Sequence, residues 1–226
     1  MTVTATNRGI KLTLDENVIS PDMIKKITEG KYEVAEANNI ERILAEDEVV
    51  LELGAGIGFI SSLTAKHPKT KRIVSYEANP KLIPIIKKTL TDNTDPSRAN
   101  WEVRNAVLAN GTKAETMDFY VHRNFWASSL LPIENAEEVV KIPVVSFNAV
   151  LADICPTLIV CDIEGGELDL FKNADLSSVK KVYMEVHQKR IGRRGMIRLF
   201  DYMHSRGFHY DQNHSHGSVV LFSSCD

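Results

Sequence analysis

The sequence predicts an α/β fold with a seven-stranded, mostly parallel sheet, an antiparallel last strand and helices on both faces. Short apolar strands alternate with amphipathic helices, the pattern of a parallel sheet that helices cover on both sides. A glycine-rich turn joins the first buried strand to a helix, and two strands close the chain after the last helix. The 226 residues, 43% of them hydrophobic, suffice for one domain with a single core.

The N-terminal part, residues 1–46, is expected to place a strand and two helices ahead of the sheet. Residues 10–14 alternate apolar and polar side chains as a half-buried strand does. Ser20 and Pro21 predict a helix over 21–29, because proline suits the first helical position. A second helix is expected over 34–45.

The core, residues 47–226, is expected to hold the sheet. Short apolar runs bounded by turn residues predict its strands, and apolar residues at helical spacing predict its helices. Asn79 is expected to cap the helix after the second strand. The expected core strands are 48–53, 72–77, 101–107, 158–162, 180–186, 208–210 and 218–222. The expected core helices are 59–66, 80–91, 167–172 and 193–206.

An insertion near 109–145 interrupts this alternation of strands and helices. Residues 116–121 and 139–145 both have strand-like patterns, and we expect them to pair as a hairpin. A substrate pocket could be built on this insertion.

Composition and charge exclude several classes of protein. A net charge of −3 with interspersed signs gives no electrostatic footprint for a nucleic-acid backbone. Three cysteines without a Cys-x-x-Cys pair form neither a disulfide framework nor a zinc site. One basic cluster is interpreted as a solvated helix face, with contact to an anionic substrate as the alternative. It consists of Lys189, Arg190, Arg193, Arg194 and Arg198.

The apolar runs of the sequence are short. None approaches the roughly 20 residues that cross a bilayer, so no membrane span is expected. Residues 1–8 are polar and lack the basic start, apolar stretch and cleavage site of a secretory signal, which predicts a cytoplasmic location.

The strongest motif is the glycine turn Glu52-Leu-Gly-Ala-Gly-Ile-Gly58, between a strand and a helix. Glycine lets a backbone approach a nucleotide-like cofactor where a Cβ would collide. A dinucleotide fingerprint needs Gly or Ala where Phe59 stands, and the charge of Glu52 suits an ammonium or sulfonium better than a pyrophosphate. The loop therefore predicts S-adenosylmethionine as the cofactor. The predicted cofactor-binding residues here are Glu52, Gly54, Ala55, Gly56 and Gly58.

The next two strands end in further candidate cofactor ligands. Glu77 ends the second strand at about the expected interval after the loop, where a carboxylate can accept hydrogen bonds from both ribose hydroxyls. Ala78 follows it. Asn105 and Ala106 supply an amide and a small side chain for the adenine, although Asn105 could instead only cap the strand.

The second strong motif, Asp162-Ile-Glu164-Gly-Gly-Glu167, follows a buried strand. Methyl transfer from a sulfonium is an in-line displacement, so the protein must align the acceptor and remove its proton. Asp162 is the first candidate for this base or orienting group, with Glu164 beside it and His187 as an alternative base. Glu167 could equally be a carboxylate that a helix N-terminus favours. We assign no metal ligand, but these carboxylates would also suit Mg²⁺.

With these motifs the sequence resembles the FkbM family of methyltransferases from about Tyr32 to the C-terminus. The resemblance rests on segments 51–58, 76–80, 105–106, 128–130, 162–167 and 185–187. It implies a Rossmann-like class I methyltransferase domain over 1–226 that uses S-adenosylmethionine, usually for O-methylation of sugar or natural-product hydroxyls. It also implies that Ser128 and Ser129 lie beside the cofactor or acceptor. The family more often has Asp at Glu52, Asn at Ile57 and Ala at Gly166.

The expected reaction is O-methylation of a hydroxyl on a sugar, glycan or small natural product. The expected partner is thus a small-molecule or saccharide acceptor, and a homodimer is compatible with the sequence. Two alternatives stay open: another acceptor such as protein, lipid or RNA, and a non-catalytic nucleotide-binding module. A nicotinamide-dependent oxidoreductase would need a Tyr-x-x-x-Lys-like base, which the sequence does not show.

Overall fold

The computed structural model of the protein describes residues 2–98, 100–130 and 132–225. The strands are β1 Thr2–Asn7, β2 Ile10–Asp15, β3 Glu48–Leu53, β4 Thr70–Glu77, β5 Trp101–Asn105, β6 Val107–Ala109, β7 Thr116–Val121, β8 Glu138–Ser146, β9 Leu158–Cys161, β10 Lys181–Glu185, β11 Phe208–His216 and β12 Val219–Ser224. The helices are α1 Pro21–Thr28, α2 Val34–Ile43, α3 Phe59–Lys66, α4 Ile83–Asn93, α5 Phe147–Ile154, α6 Glu167–Phe171 and α7 Gln188–Ser205.

A seven-stranded sheet of order β11-β12-β10-β9-β3-β4-β5 forms the centre of the molecule. Strands β3, β4, β5, β9 and β10 pair in parallel, whereas β12 runs antiparallel to both of its neighbours, β10 and β11. The predicted mostly parallel sheet with an antiparallel last strand is confirmed. The carboxyl ends of the parallel strands meet at one edge, where open α/β sheets bind their ligands.

The period of two in each central strand sends side chains to both faces of the sheet. Val50 and Leu158 contribute to a core shared with α1 to α4, whereas Leu51 and Ile159 contribute to a core shared with α5 to α7. All four side chains are fully buried. Strands that are buried on both faces read as continuous apolar runs, which is why the sequence predicts them well.

A smaller three-stranded sheet of order β6-β8-β7 occupies the predicted insertion. Strands β7 and β8 pair antiparallel from Thr116 opposite Pro143 to Val121 opposite Glu138, so the predicted hairpin is confirmed. Strand β6 pairs in parallel with β8. The expected single strand 101–107 is therefore wrong in one respect: it breaks at Ala106, where the chain leaves the main sheet for the smaller one.

Several element boundaries differ from the predicted ones. Helix α4 begins at Ile83, not at Pro80, and the Asn79 side chain accepts a hydrogen bond from the Lys81 N–H (3.0 Å) in the preceding turn. Helix α7 begins at Gln188 and is interrupted at Gly192, whose φ of 70° is outside the helical region. Strand β11 continues to His216. Strand β1 and helix α5 lie where no element was predicted.

The N-terminal hairpin packs on the rest of the fold. Ile10, Leu12 and Leu14 of β2 are fully buried. The Asn93 side chain at the end of α4 exchanges hydrogen bonds with the backbone of Lys11 (2.7 and 2.8 Å). Within the part of the chain that the structure describes, no helix is both long and apolar enough to cross a membrane.

Candidate functional site

A cavity of about 810 Å³ opens at the carboxyl edge of the main sheet. Its floor comes from the ends of β3, β4 and β9, and one side comes from residues 32–36, at the start of α2. Residues 106–130, which enter the smaller sheet, supply another side. The insertion thus contributes to the cavity, as the sequence suggests for a substrate pocket.

The glycine loop lies at the base of this cavity, and each glycine is there for a different reason. A Cβ on Gly54 (φ 83°) would lie 1.8 Å from the Asp162 carbonyl oxygen, and one on Gly56 would lie 2.8 Å from the Tyr32 hydroxyl. Gly54 and Gly56 line the cavity. Gly58 does not, and a Cβ there would lie 3.1 Å from the Cα of Ile86. The structure therefore gives Gly58 a packing role between α3 and α4.

Glu52 and Ala55 border a separate cavity of about 20 Å³ behind the loop, large enough for about one water molecule. The Glu52 carboxylate accepts a hydrogen bond from the Ser61 hydroxyl of α3. Burial raises the pKa of Glu52 to about 7, although hydrogen bonds from Ser61 and Ser75 oppose the shift. Glu52 thus lies beneath the loop and supports it, away from the wall of the large cavity.

Glu77 ends β4 with its carboxyl group at the cavity wall. It accepts hydrogen bonds from the backbone N–H groups of Asn79 (2.7 Å) and Gly56 (3.0 Å). Burial raises its pKa to about 7, against the effect of these hydrogen bonds. A carboxyl group tied to the glycine loop in this way lies where the sequence predicts the ribose ligand.

Asn105, Ala78 and Ala106 are all predicted to contact the cofactor, but they have different positions in the structure. The Asn105 amide donates hydrogen bonds to the carbonyl oxygens of Glu77 (2.8 Å) and Ala78 (3.0 Å), and its side chain is not part of the wall. It therefore fixes the end of β4. Ala78 and Ala106 line the cavity with small side chains.

Ser128 and Ser129 both line the cavity. The Ser128 hydroxyl accepts a hydrogen bond from the His122 N–H (3.0 Å), and the backbone of Ser129 pairs with that of Tyr120. The two serines are thus held by the β7 end of the smaller sheet, beside the cavity as the resemblance implies.

The Asp162 motif and the end of β10 form a compact group, the His187 cluster, which consists of His187, Asp162, Glu164 and Glu185. His187 Nε2 lies 3.4 Å from Glu164 Oε2, 3.6 Å from Asp162 Oδ1 and 3.9 Å from Glu185 Oε2. His187 Nδ1 lies 2.8 Å from Glu167 Oε1. Asp162, Glu164 and Glu185 line the cavity, and His187 lies behind them.

The electrostatics of the His187 cluster follow from burial and like charge. Burial and the charge of Glu185 raise the pKa of Asp162 well above its ordinary value, against the effect of His187. Burial also raises the pKa of Glu164. Burial lowers the pKa of His187, but Glu167 and the other carboxylates outweigh it and raise this pKa to about 9. The imidazole is thus held among negative charges.

The cavity residues that the sequence analysis did not identify include Tyr32, Glu33 and Phe125. Tyr32 packs on Phe125 with ring centroids 6.3 Å apart, so it covers the loop near Gly56. Burial raises the pKa of both Tyr32 and Glu33 well above their ordinary values. These residues come from elements far apart in the chain and carry no motif of their own.

Acidic side chains dominate the ionisable groups of the wall. Among the described residues seven carboxyl groups and one guanidinium line the cavity. They are Glu33, Glu36, Glu77, Asp162, Glu164, Asp169, Glu185 and Arg190. Such a wall disfavours a diphosphate, because it offers phosphate oxygens almost no charged donor. It favours a cation, whose positive charge stabilises the ionised form of these carboxyl groups.

Comparisons with known proteins agree with this geometry. Residues 52–210 match the Methyltransferase FkbM domain. Over 94 residues the chain is 28% identical to ribosomal RNA small subunit methyltransferase A of Staphylococcus carnosus (strain TM300). That match covers 39% of this chain and 31% of the relative.

Two solved structures share the fold over 98% of this chain. The first is Trm5b from Pyrococcus abyssi, with a TM-score of 0.53, 13% sequence identity and 55% of that chain covered. The second is M. jannaschii TYW2 in complex with AdoMet, with a TM-score of 0.51, 15% sequence identity and 84% of that chain covered. The chain thus spans about a third of the curated relative and about half of Trm5b. The Rossmann-like class I methyltransferase fold is confirmed. Because the Methyltransferase FkbM domain matches more than half of the chain, the chain belongs to the methyltransferase FkbM family.

Proposed function

We propose that the protein transfers a methyl group from S-adenosylmethionine to a hydroxyl oxygen of a saccharide or small natural product. One observation carries this proposal: the cavity over the glycine loop presents seven carboxyl groups and a single guanidinium among the described residues. Open α/β sheets bind nucleotide-like ligands at this edge, and the charge selects a cationic one.

The residues present fit this cofactor. Gly54 and Gly56 line the cavity and place no side chain in it, so their backbone is open to a cofactor. The Glu77 carboxyl group would accept hydrogen bonds from the ribose hydroxyls, and Ala78 and Ala106 would leave space for the adenine. When bound, S-adenosylmethionine supplies a methyl carbon activated by a positively charged sulfur.

A nicotinamide dinucleotide fits this site poorly. Phe59 is fully buried at the position where a dinucleotide fingerprint needs Gly or Ala for close helix packing. The neighbouring Glu77 carboxyl group already accepts the Gly56 N–H, which removes a backbone donor that a pyrophosphate would use. The local backbone and the charge of the wall favour the same cofactor class.

The acceptor hydroxyl would be oriented by the His187 cluster. Asp162 and Glu164 present carboxylate oxygens to the cavity at the end of β9, so either can accept a hydrogen bond from a hydroxyl group. Asp162 accepts the proton as the oxygen–methyl bond forms. The acidic wall would repel a phosphate-rich acceptor, whereas a neutral polyol can donate hydrogen bonds to it.

The size of the cavity supports a small acceptor. Ligand sites commonly enclose roughly 300–1,000 Å³, and about 810 Å³ leaves room for a cofactor together with a small second molecule. Residues 107–130 supply mixed apolar and polar side chains to one side of the cavity, including Phe119, Ser128 and Ser129. Sugars bind well to such surfaces, which combine rings with hydroxyl groups.

Calorimetry with S-adenosylmethionine, S-adenosylhomocysteine and NAD tests the cofactor, and mass spectrometry of a mixture of saccharide and natural-product acceptors tests the reaction. We expect both adenosyl compounds to bind, NAD not to bind, and acceptors to gain the mass of one methylene group. Asp162→Asn should keep S-adenosylhomocysteine binding and slow transfer. Methylation confined to added protein, lipid or RNA would overturn the acceptor class. Cofactor binding without S-adenosylhomocysteine production from any acceptor would indicate a non-catalytic module.

A further inference from the structure

The His187 cluster has the layout of a metal centre. Its imidazole Nε2 faces three carboxylate oxygens at 3.4, 3.6 and 3.9 Å. Donor atoms of Asp162, Glu185 and His187 all lie within 4.8 Å of one another. The three residues come from the ends of neighbouring strands β9 and β10, so the sheet itself fixes their spacing.

The distances from His187 Nε2 to Asp162 and Glu185 (3.6 and 3.9 Å) are too long for hydrogen bonds and somewhat longer than the spacing of ligands around an ion. N–H···O bonds have heavy-atom distances of about 2.7–3.2 Å. Metal–ligand bonds of about 2.1 Å place neighbouring donor atoms roughly 3.0–3.5 Å apart. A small inward movement of the carboxylates would therefore bring Asp162, Glu185 and His187 into coordination.

Independent evidence comes from how the imidazole is held. Glu167, whose side chain is fully buried, binds His187 Nδ1 at 2.8 Å and also accepts the Gly165 N–H (3.1 Å). A carboxylate on the far nitrogen is a common partner of a metal-bound histidine, because it fixes the ring and directs Nε2 to the ion, which replaces the proton there. The ring therefore presents Nε2 to the carboxylates.

Asp162 supplies a second sign. Its Oδ1 atom is buried and has no hydrogen-bond partner among residues 2–98, 100–130 and 132–225. A buried carboxylate oxygen without a partner costs free energy, and a cation at this point would satisfy it. The same residue lines the cavity, so a bound ion would have positions open to a substrate oxygen.

We propose that Asp162, Glu185 and His187 bind one divalent transition-metal cation of the Mn²⁺ type, with Glu167 as a positioning residue for His187. The imidazole nitrogen favours such an ion over Mg²⁺, which prefers an all-oxygen shell. If the proposed function holds, an ion held by these three residues would be able to lower the pKa of an acceptor hydroxyl in the cavity. Metal binding itself does not depend on that function.

Titration of the chelator-treated full chain with Mn²⁺ tests the site, by calorimetry and by loss of the free-ion paramagnetic resonance signal. We expect one Mn²⁺ per chain, bound at least about tenfold more tightly than Mg²⁺. His187→Ala and Glu185→Gln should each weaken Mn²⁺ binding by at least about tenfold, and Glu167→Gln by about tenfold. His214→Ala is the matched control, because His214 also pairs with a carboxylate, Asp211, at 3.1 Å but on β11.

The outcomes separate the site from the reaction. Absence of stoichiometric Mn²⁺ binding at millimolar concentration overturns the proposed site. Wild-type Mn²⁺ affinity in both Glu185→Gln and Glu167→Gln also overturns it, even if His187→Ala does not fold. Stoichiometric binding that the cluster variants lose and the control keeps supports it. Mn²⁺ binding without methyl transfer would leave the metal site standing and remove the proposed function. Full methyl transfer by metal-free enzyme that binds no Mn²⁺ would support the proposed function and remove the metal site.

Discussion

At the scale of single residues, Glu77 links the glycine loop to the cofactor. Its carboxyl group already accepts two backbone N–H groups, so it is held rigidly at the cavity wall. We expect Glu77→Ala to weaken S-adenosylhomocysteine binding about 10- to 100-fold, because hydrogen bonds to a charged group contribute roughly 1.5–3 kcal/mol. Isothermal titration calorimetry measures this change.

The control for Glu77→Ala is Glu102→Ala, which removes a half-exposed carboxylate that pairs with Arg72 and Arg104 on the same sheet. Circular dichroism should show that both variants are folded. Affinity in Glu77→Ala equal to that of the control variant would refute the ribose assignment.

Gly54 offers a second prediction at this scale. A Cβ there would lie 1.8 Å from the Asp162 carbonyl oxygen, so Gly54→Ala must push β3 and β9 apart. Gly207→Ala is a matched control, since Gly207 has a similar φ (79° against 83°) but no atom within 4 Å of the added methyl group. We expect the control to cost about 1–2 kcal/mol for backbone strain alone. Gly54→Ala should cost at least about 2 kcal/mol more, measured by urea unfolding.

Equal stability of the two glycine variants would contradict this prediction, because it would show that the Asp162 backbone can move without cost.

The glycine loop also shows how far a motif predicts the roles of its residues. The Gly-x-Gly-x-Gly spacing predicts a loop that excludes side chains, but it does not distinguish Gly54, which faces β9, from Gly58, which faces Ile86. That distinction depends on residues distant in sequence.

At the scale of elements, one buried ion pair joins the strands at the edge opposite the cavity. Glu48 at the start of β3 pairs with Lys181 at the start of β10 and accepts hydrogen bonds from Thr157 and the Ala45 N–H. The side chains of Glu48 and Lys181 are 2% and 16% exposed. Removing one partner leaves a buried charge, which is far more costly than removing both.

Lys181→Met should therefore destabilise the protein by about 3 kcal/mol, and Glu48→Gln/Lys181→Met should recover most of that loss. Chemical denaturation measures both values. Because the pair lies far from the cavity edge, S-adenosylhomocysteine affinity should stay unchanged. A single variant within about 0.5 kcal/mol of wild type would mean that the ion pair contributes little.

The elements that the sequence predicts best are those with the strongest apolar pattern. The central strands β3 and β9 and the β7–β8 hairpin are where the pattern places them. Helix α5 is missed because it begins at Phe147, directly after the last residue of β8, so no loop separates the two elements. Strand β1 is missed because four of its six residues are polar and it has no apolar run, so its pairing with β2 is its main support.

At the scale of the whole molecule, the cavity draws its wall from Tyr32 to Val219. Motifs predict the parts at the strand ends, Glu77 and Asp162, because parallel strands deliver their carboxyl ends to one edge. They do not predict Tyr32 or Glu33, because only the packing of α2 brings these residues to the same edge.

Glu52 and Glu77 make stability depend on pH, because burial raises both pKa values to about 7 from an ordinary 4.5. The unfolded chain loses these protons first as the pH rises. The stabilising contribution is therefore complete below about pH 4.5 and is lost as the pH rises through 7. The free energy of unfolding should fall between pH 5 and 8.

Glu52→Gln isolates one of these groups, because the amide oxygen can still accept the Ser61 hydroxyl hydrogen bond. The shift in the pKa of Glu52 corresponds to about 3 kcal/mol at most. Between pH 5 and 8 the free energy of unfolding should therefore fall less in Glu52→Gln than in wild type, and the difference should not exceed this value. Urea unfolding across this range measures it, with the exposed Glu41→Gln as the control that follows the wild-type curve. Parallel curves for Glu52→Gln and wild type would contradict the prediction, because they would mean that Glu52 ionises in the folded protein as readily as in water.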